Sequence, residues 1–355
     1  MTRSRELAEL ASAYDGGGSL SFRNRIINGD MRIARMSNGS AVSVSSGYQY
    51  GVDRTRGFVG GSGRFTSQIS TDAPDGFSNS VSMIVTTSQT SFGASELLVP
   101  FEQSIEGHNF SDLAFGSASA KPIAISFYVK ASIAGKYSVA VFNNTGAIID
   151  TSYVASVVVN SANTWEYKTL TIPGATIGTW QTGSGIGIYL TIGAYGGSDF
   201  IGAENSWQSN FNEFSSGCVN MFGTVGAYLR VTGVQLEPGG VSTPFERISY
   251  TQQIDLCERY FRTNREVSGG SASGGGLAAF RVDFSGMRAQ PTITLRNTVD
   301  VFEGMYYGRY SANTINGFWV PKANDIGIEI SPTVSFPSQV PIHMFGNTLN
   351  LNAEI

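Results

Sequence analysis

Two histidines, two cysteines and 27 carboxylates are the groups with which this 355-residue chain could do acid–base, metal or nucleophilic chemistry. His108 and His343 stand in separate regions, with no Cys or carboxylate at metal-ligand spacing, and read as surface or structural residues. No GxSxG, HExxH, Walker A or complete GxGxxG occurs. GSGIGI is glycine-rich but lies inside a strand pattern and opens no helix, so it offers a phosphate no helix N-terminus. A glycosidase needs only two carboxylates that the fold brings together, which a sequence does not locate. The short repeat of a β-helix is absent. The reading is of a protein that is not an enzyme. Cys218 and Cys257 are too few for a disulfide framework and fit assembly in a reducing cytosol, with a single bridge between them left open.

Recognition has better candidates. Sugar rings stack their C–H faces on exposed aromatics, and their hydroxyls need planar polar partners. The stretch from Tyr195 to Phe214 has this mixture: Tyr195, Asp199, Trp207, Gln208, Asn210 and Phe211, with Phe200, Glu204, Asn205 and Asn212 among them. The alternative is that Trp207, Phe200 and Phe211 fold back over a sheet edge. VFEGMYYGRYSANTINGFWV is a second candidate, through Tyr306, Tyr307, Arg309 and Trp319, with Tyr310, Asn313 and Asn316 alongside; its aromatics could instead form the core of an oligomer.

The elements that must position these groups are strands. Charged residues are only 14% against roughly 25% in an average soluble domain, and the 43 glycines go with many short strands and tight turns. From Phe22 to Arg247, strand signals follow one another: NRIINGDMRI, GRFTSQIS, NSVSMIVTTS, SELLVPFEQSI, PIAISFYVKAS, KYSVAVFN, YVASVVVN, WEYKTLTIPG, IGIYLTIGAY and AYLRVTGVQLE. Ile123, Ile125, Phe127 and Val129 alternate with Ala124, Ser126, Tyr128 and Lys130, as one buried face requires. About ten such strands predict an all-β, two-sheet antiparallel sandwich. Residues 193–217 lack the pattern and read as a long loop.

After Arg247 the period changes. Ser249 and Gln252 form a capping-box pair, and Tyr250, Ile254, Cys257 and Phe261 recur at helical spacing. SGGSASGGG then reads as a break, and strands resume at LAAFRVDFS, PTITLRN and GFWVP. At the other end Leu7, Leu10 and Tyr14 mark a short helix before Gly16-Gly17-Gly18, a docking or coiled-coil peg, or else a frayed terminus. Both helices are too short to stand alone, yet each carries an apolar stripe. Three copies around an axis would bury Leu7, Leu10, Tyr14, Ile254, Cys257 and Phe261, so a homotrimer is expected. Net charge is −4 with no basic stripe, which argues against nucleic acid. No signal peptide or run of eighteen apolar residues is visible, so no membrane insertion is expected.

NRIINGDMRI, KPIAISFYVKAS, TWEYKTLTIPG and VTGVQLEPGGVSTPFE, in that order, resemble the first, middle and last strands of jelly-roll modules related to carbohydrate-binding modules in bacteriophage tail fibres. ISYTQQIDLCERYF resembles the helix that closes such modules, and FRVDFSGMRAQPTITL with LNAEI resembles the tip units that follow. One departure is local: where such modules carry a Trp after an Asp-Arg pair, Asp53-Arg54 is followed by Thr55-Arg56-Gly57-Phe58, so Phe58 is expected at the core position.

The resemblance implies residues 1–21 as a docking helix and hinge, 22–247 as the jelly roll, 248–263 as a connecting helix and 264–355 as a β tip. It implies a virion subunit assembled in the host cytoplasm, joined through its N-terminus to the baseplate or another virion protein, that attaches the particle to host surface polysaccharide. The alternatives are a neck, collar or capsid fibre without a receptor, and, further off, a depolymerase. No cofactor is implied beyond a structural Ca²⁺ of the kind many such modules hold, here with Asp30 and Glu237 on the strands that the resemblance pairs.

Overall fold

A computed structural model describes residues 22–273, 277–283, 285–289, 291–295, 299–303, 309–322, 325–332 and 341–354; for 264–284 and 295–350 the description concerns the backbone alone. The expected N-terminal helix with Leu7, Leu10 and Tyr14 lies outside these residues, as do Tyr306 and Tyr307. The chain divides into two compact units, one ending at Gln253 and one spanning Ile254–Glu354.

The first unit is an all-β jelly-roll sandwich. Fourteen strands run in chain order: β1 Val42–Val44, β2 Gly47–Val52, β3 Thr55–Val59, β4 Arg64–Ser70, β5 Ser80–Thr87, β6 Leu97–Glu106 and β7 Ile123–Ala131, then β8 Gly135–Phe142, β9 Ser152–Val159, β10 Glu166–Ile172, β11 Ile186–Ile192, β12 Tyr195–Gly196, β13 Trp207–Gln208 and β14 Tyr228–Pro238. Six form one sheet in the order β1-β4-β5-β14-β7-β10. Eight form the other, β13-β9-β8-β11-β6-β3-β2, with β12 also on β6. All the pairings within both sheets are antiparallel.

Alternation decides which side chains meet between the sheets. On β7, Ile123, Ile125, Phe127 and Val129 point inward, as their spacing predicts; they join Val139 and Val141 of β8, Ile188 and Leu190 of β11, and Leu229 and Val231 of β14 in one core. β6 changes face part-way along. Leu97 and Val99 point outward, whereas Phe101 and Ile105 point into the core. An extra residue on β6 opposite Arg56–Phe58 produces the switch, a bulge at Pro100, where the missing N–H makes a ladder bond impossible.

The first expected strand is not a strand. NRIINGDMRI forms a buried turn, because Asn28 and Met31 take left-handed φ values of 60° and 57°. The buried Asn28 amide holds that turn: Nδ2 donates to the carbonyls of Ile33 and Asp53, and Oδ1 accepts from Ile33 N–H. Gly29 fits because a side chain there would strike the Val234 carbonyl, to whose own N–H the Gly29 carbonyl is bonded.

The capping box is present. Gln252 N–H donates to Ser249 Oγ, and Ser249 N–H to Gln252 Oε1, each at 3.2 Å. The helix, α1, covers Tyr250–Glu258 and is shorter than its apolar spacing suggests, since Phe261 already begins a strand and pairs with Asn352. Cys257 and Phe261 are covered within a single chain, Ile254 is half-buried and Tyr250 is exposed, with Arg32 over its ring.

The second unit is also β. β15 Phe261–Ser273, β16 Leu277–Asp283, β17 Thr292–Leu295, β18 Val299–Glu303, β19 Arg309–Lys322, β20 Asp325–Pro332 and β21 Pro341–Asn352 form one sheet. The order β15-β16-β20-β19-β18-β21, with β21 returning to β15, closes the ladder into a six-stranded ring, and β17 extends along β21. The expected break at SGGSASGGG is corrected over 268–273, where β15 continues to Ser273 with a register shift between Val267 and Gly270; Gly274, Gly275 and Gly276 lie outside the described residues. Arg309 and Trp319 fall on β19.

Candidate functional site

The outer face of the eight-stranded sheet carries a row of charge across successive strands. Tyr50 of β2 lies opposite Arg56 of β3, Arg56 opposite Glu102 of β6, and Glu102 opposite Thr191 of β11. Residues directly opposite each other on one face are the pairs that interact most closely in a sheet. Arg56 Nε donates to Glu102 Oε1 at 2.7 Å, and Nη1 to the Tyr50 hydroxyl at 3.4 Å. The adjoining row sets Tyr48 beside Phe58, ring centroids 4.7 Å apart, and places Tyr48 over the Arg56 guanidinium at 3.9 Å. Tyr189 closes the other side, 5.7 Å from the same guanidinium, with its hydroxyl accepting from Asn144.

Phe58 is therefore not the core residue expected from its place after Asp53-Arg54. It is half-buried on the outer face, against Leu97, Val99 and Ala194. β3 alternates, and Val59 is the residue that points inward.

Most of this charge is removed from water. Arg56 is 8% exposed and Glu102 and Glu213 are almost fully covered. Burial works against the Arg56 charge, but the Glu102 carboxylate and the Tyr50 and Tyr48 hydroxyls outweigh it and keep the guanidinium ionised. Burial raises the Glu102 carboxyl, with the Arg56 charge and hydrogen bond opposing. Glu213 is raised well above the usual carboxylate range, first by burial and then by the charge of Glu102. Glu213 Oε2 has no hydrogen-bond partner among the described residues. The site thus holds one fixed cation, one carboxylate paired with it and one carboxyl that favours its proton.

The segment from Gly193 to Gly217 covers part of this face. It is mostly irregular, as its lack of periodicity predicts, with β12, β13 and a single turn of 3₁₀ helix at Ser198–Phe200. Phe211 packs edge-on to Phe142 and Phe200. Trp207 turns to the end of the sandwich, where its ring meets Tyr153, Phe115 and Trp180 and its Nε1 donates to the Pro173 carbonyl. Tyr195 stacks on Phe214, and the Gln208 amide bonds back to Ala203. Asp199 and Asn210 are exposed. Lys136 and Ser215 clamp Glu204 and draw its carboxyl down to about 2, fastening the segment to β8. The aromatics of the loop thus turn to protein, and the ring left open on this face is Tyr48, which sequence reasoning missed. The signal was present in the alternation of Tyr48, Tyr50, Arg56 and Phe58; the partner Glu102 is 46 residues from Arg56 and is found only once the register is known.

Asp30 and Glu237, the pair expected at a calcium ion, each have protein partners of their own. Asp30 is paired with Arg32 at 2.5 Å, and Glu237 accepts from Thr243 N–H and Oγ1 and from Gln235. Among the described residues, no group of three or more His, Cys, Asp or Glu could hold a metal ion. Cys218 and Cys257 are both buried, and Cys218 Sγ lies 3.7 Å from Ser215 Oγ. No described helix is long and apolar enough to cross a membrane.

No protein-family profile matches the chain, and neither does any curated protein sequence. Among solved structures, the enzymatically active domain of tailspike protein 4 from bacteriophage CBA120 aligns with 61% of this chain at 13% identity and a TM-score of 0.31; the alignment spans 21% of the tailspike chain. A family 11 carbohydrate-binding module from a Clostridium thermocellum cellulase aligns with 56% of this chain and 98% of its own, at 15% identity and a TM-score of 0.30. A xylan-binding module from Paenibacillus barcinonensis aligns with 57% of this chain at 12% identity and a TM-score of 0.28. At such scores the overlap adds nothing to what the side chains themselves say.

Proposed function

We propose that the sandwich binds polysaccharide on the outer face of its eight-stranded sheet, without cleaving it. We further propose that the chain is a bacteriophage tail-fibre adhesin, a homotrimer on the virion that is anchored through its N-terminus to the baseplate or another virion protein and attaches the particle to host surface polysaccharide. The observation that carries the binding reading is Tyr48: its ring is 47% exposed, yet it is fixed from behind by the Arg56 guanidinium and from the side by Phe58. An open ring held in place loses little freedom on meeting a flat sugar face. Tyr50, bonded to Arg56 and half-buried beside it, supplies a hydroxyl for the sugar rim. The order of the jelly-roll-like segments, followed by a capped helix and a second β unit, supports the fibre reading. Three weak sites per fibre would give avidity gains of roughly 10²–10⁴.

The test is titration of the purified chain with host surface-polysaccharide fractions. Saturable binding that blocks adsorption, weakened about tenfold (about 1.4 kcal/mol) by Tyr48→Ala with the fold unchanged, is the expected result. Unaltered affinity in that variant removes the proposed site; absence of any binding favours a structural appendage, and falling polymer size would mean an enzyme. Light scattering that finds a stable 37.8 kDa monomer overturns the trimer.

A further inference from the structure

The opposite surface of the sandwich, the outer face of the six-stranded sheet, carries a second array that the preceding reading leaves unused. Tyr167 of β10 lies directly opposite Tyr128 of β7, ring centroids 4.9 Å apart. Phe77, from the turn between β4 and β5, continues the line at 5.4 Å, and Phe245 extends it at 5.3 Å. Arg247 lies over the last two, its guanidinium 4.8 Å from the Phe77 ring and 5.8 Å from that of Phe245. Tyr167 is 47% exposed, and Tyr128, Phe77 and Phe245 are half-buried. Four rings in file on one face of a sheet do not serve the core, which lies on its other side. Gly233 makes the line possible: its φ is +63°, and a side chain there would meet Phe77 at 2.7 Å.

The charges beside the rings are of both signs. Lys130 lies opposite Arg230 in the row next to Tyr128, and both bond Asp72, which also accepts from Trp165 Nε1 at 3.0 Å. Arg247 is exposed and, among the described residues, engages the Gly76 carbonyl and two rings. The carboxylates on this face are taken up: Asp72 by Lys130 and Arg230, Glu237 of β14 by Thr243 and Gln235, and Glu246 by the Asn24 N–H. Among the described residues Arg247 is the cation here that pairs with none of them. Rings favour the C–H faces of sugars, and an exposed guanidinium over the line with no carboxylate partner among the described residues favours a planar anion.

We propose that this face is a second saccharide site, specific for a polysaccharide that bears carboxylates, with Tyr167, Tyr128, Phe77 and Phe245 stacking on successive sugars and Arg247 binding a uronate carboxylate. It stands on residues and a sheet separate from those of Tyr48, so the two readings fail independently. The probe is polygalacturonate against its methyl ester, titrated into the full chain at low and high ionic strength. The acidic polymer should bind more tightly than the ester, lose that advantage in salt, and bind about tenfold more weakly to Tyr167→Ala and to Arg247→Ala while Tyr48→Ala leaves it unchanged. Arg247→Lys should recover less than the full affinity, because an ammonium lacks the planar fork. Equal affinity for the two polymers, unaltered binding in both variants, or loss caused by Tyr48→Ala instead would overturn the proposal. So would a change of oligomeric state in Tyr167→Ala, which would make a second copy of the chain the occupant of this face.

Discussion

The two outer faces of the sandwich use the same residue types in opposite ways. On the eight-stranded sheet, Arg56 and Glu102 pair at the bottom of the site, roofed by Tyr48 and Tyr189, with Glu213 close enough to repel Glu102. On the six-stranded sheet, Lys130 and Arg230 share Asp72 within reach of water. The consequence appears in the acids. Glu102 and Glu213 are pushed up by burial, whereas at Asp72 burial is outweighed by the hydrogen bonds of Lys130 and Trp165 and the charges of Arg230 and Lys130, and its carboxyl is drawn down. One ionic cluster is a structural part whose loss leaves a stranded charge; the other is a solvated network that salt can replace.

The most severe way to test that contrast is Arg56→Met. It leaves Glu102 buried without its cation, and breaking a buried pair from one side costs about 3–5 kcal/mol. Denaturant midpoints should fall accordingly at neutral pH, and less so at acid pH, where Glu102 takes up a proton. Arg56→Met with Glu102→Met removes both charges and should recover much of the loss. If the double variant is as unstable as the single one, the pair is not the source of the effect.

Glu213 should reveal itself through pH. Its folded pKa lies above the unfolded one, so its contribution is complete below the unfolded value and is lost as pH rises through the folded value, at up to about 1.4 kcal/mol per pH unit. Glu213→Gln keeps the shape and remains neutral. The variant should match the wild type at mildly acid pH and exceed it in stability at neutral pH. A wild type whose stability rises relative to Glu213→Gln over that interval would contradict the assignment.

Legibility in the sequence follows the distance over which each feature is decided. The alternation in IAISFYVKA was readable because one buried face imposes it within nine residues, and the Ser249–Gln252 box because its two partners are three residues apart. NRIINGDMRI misled because apolar residues at strand-like density also suit a turn whose carbonyls a buried Asn28 can satisfy; nothing local announces φ above zero at Met31. SGGSAS, the first part of the expected break, misled in the other direction, since β21 supplies ladder bonds that override weak local preference. Both outer faces were hidden for one reason: Arg56–Glu102 and Tyr167–Tyr128 are register pairs, and the first also depends on the bulge at Pro100. The loop at Tyr195–Phe214 had the right composition, but its rings are drawn to the apolar side chains of Phe142 and Tyr153.

Asp72→Asn should have the smallest effect and sharpens the comparison most. The carboxyl's depressed pKa means its contribution is present above the unfolded value and is lost as pH falls through the folded one. A third of the side chain is in water, so each ion pair is screened and contributes about 0–1 kcal/mol. The loss in Asp72→Asn should therefore be about 1 kcal/mol at neutral pH and low salt, and should shrink toward zero in high salt and in acid. The cost of Arg56→Met should be much less sensitive to salt, because ions do not reach a pair under Tyr48. If salt shifts the two variants equally, the distinction between a buried and a solvated cluster is wrong. If only Asp72→Asn responds, the six-stranded face has the open, screenable field that an acidic polysaccharide would encounter.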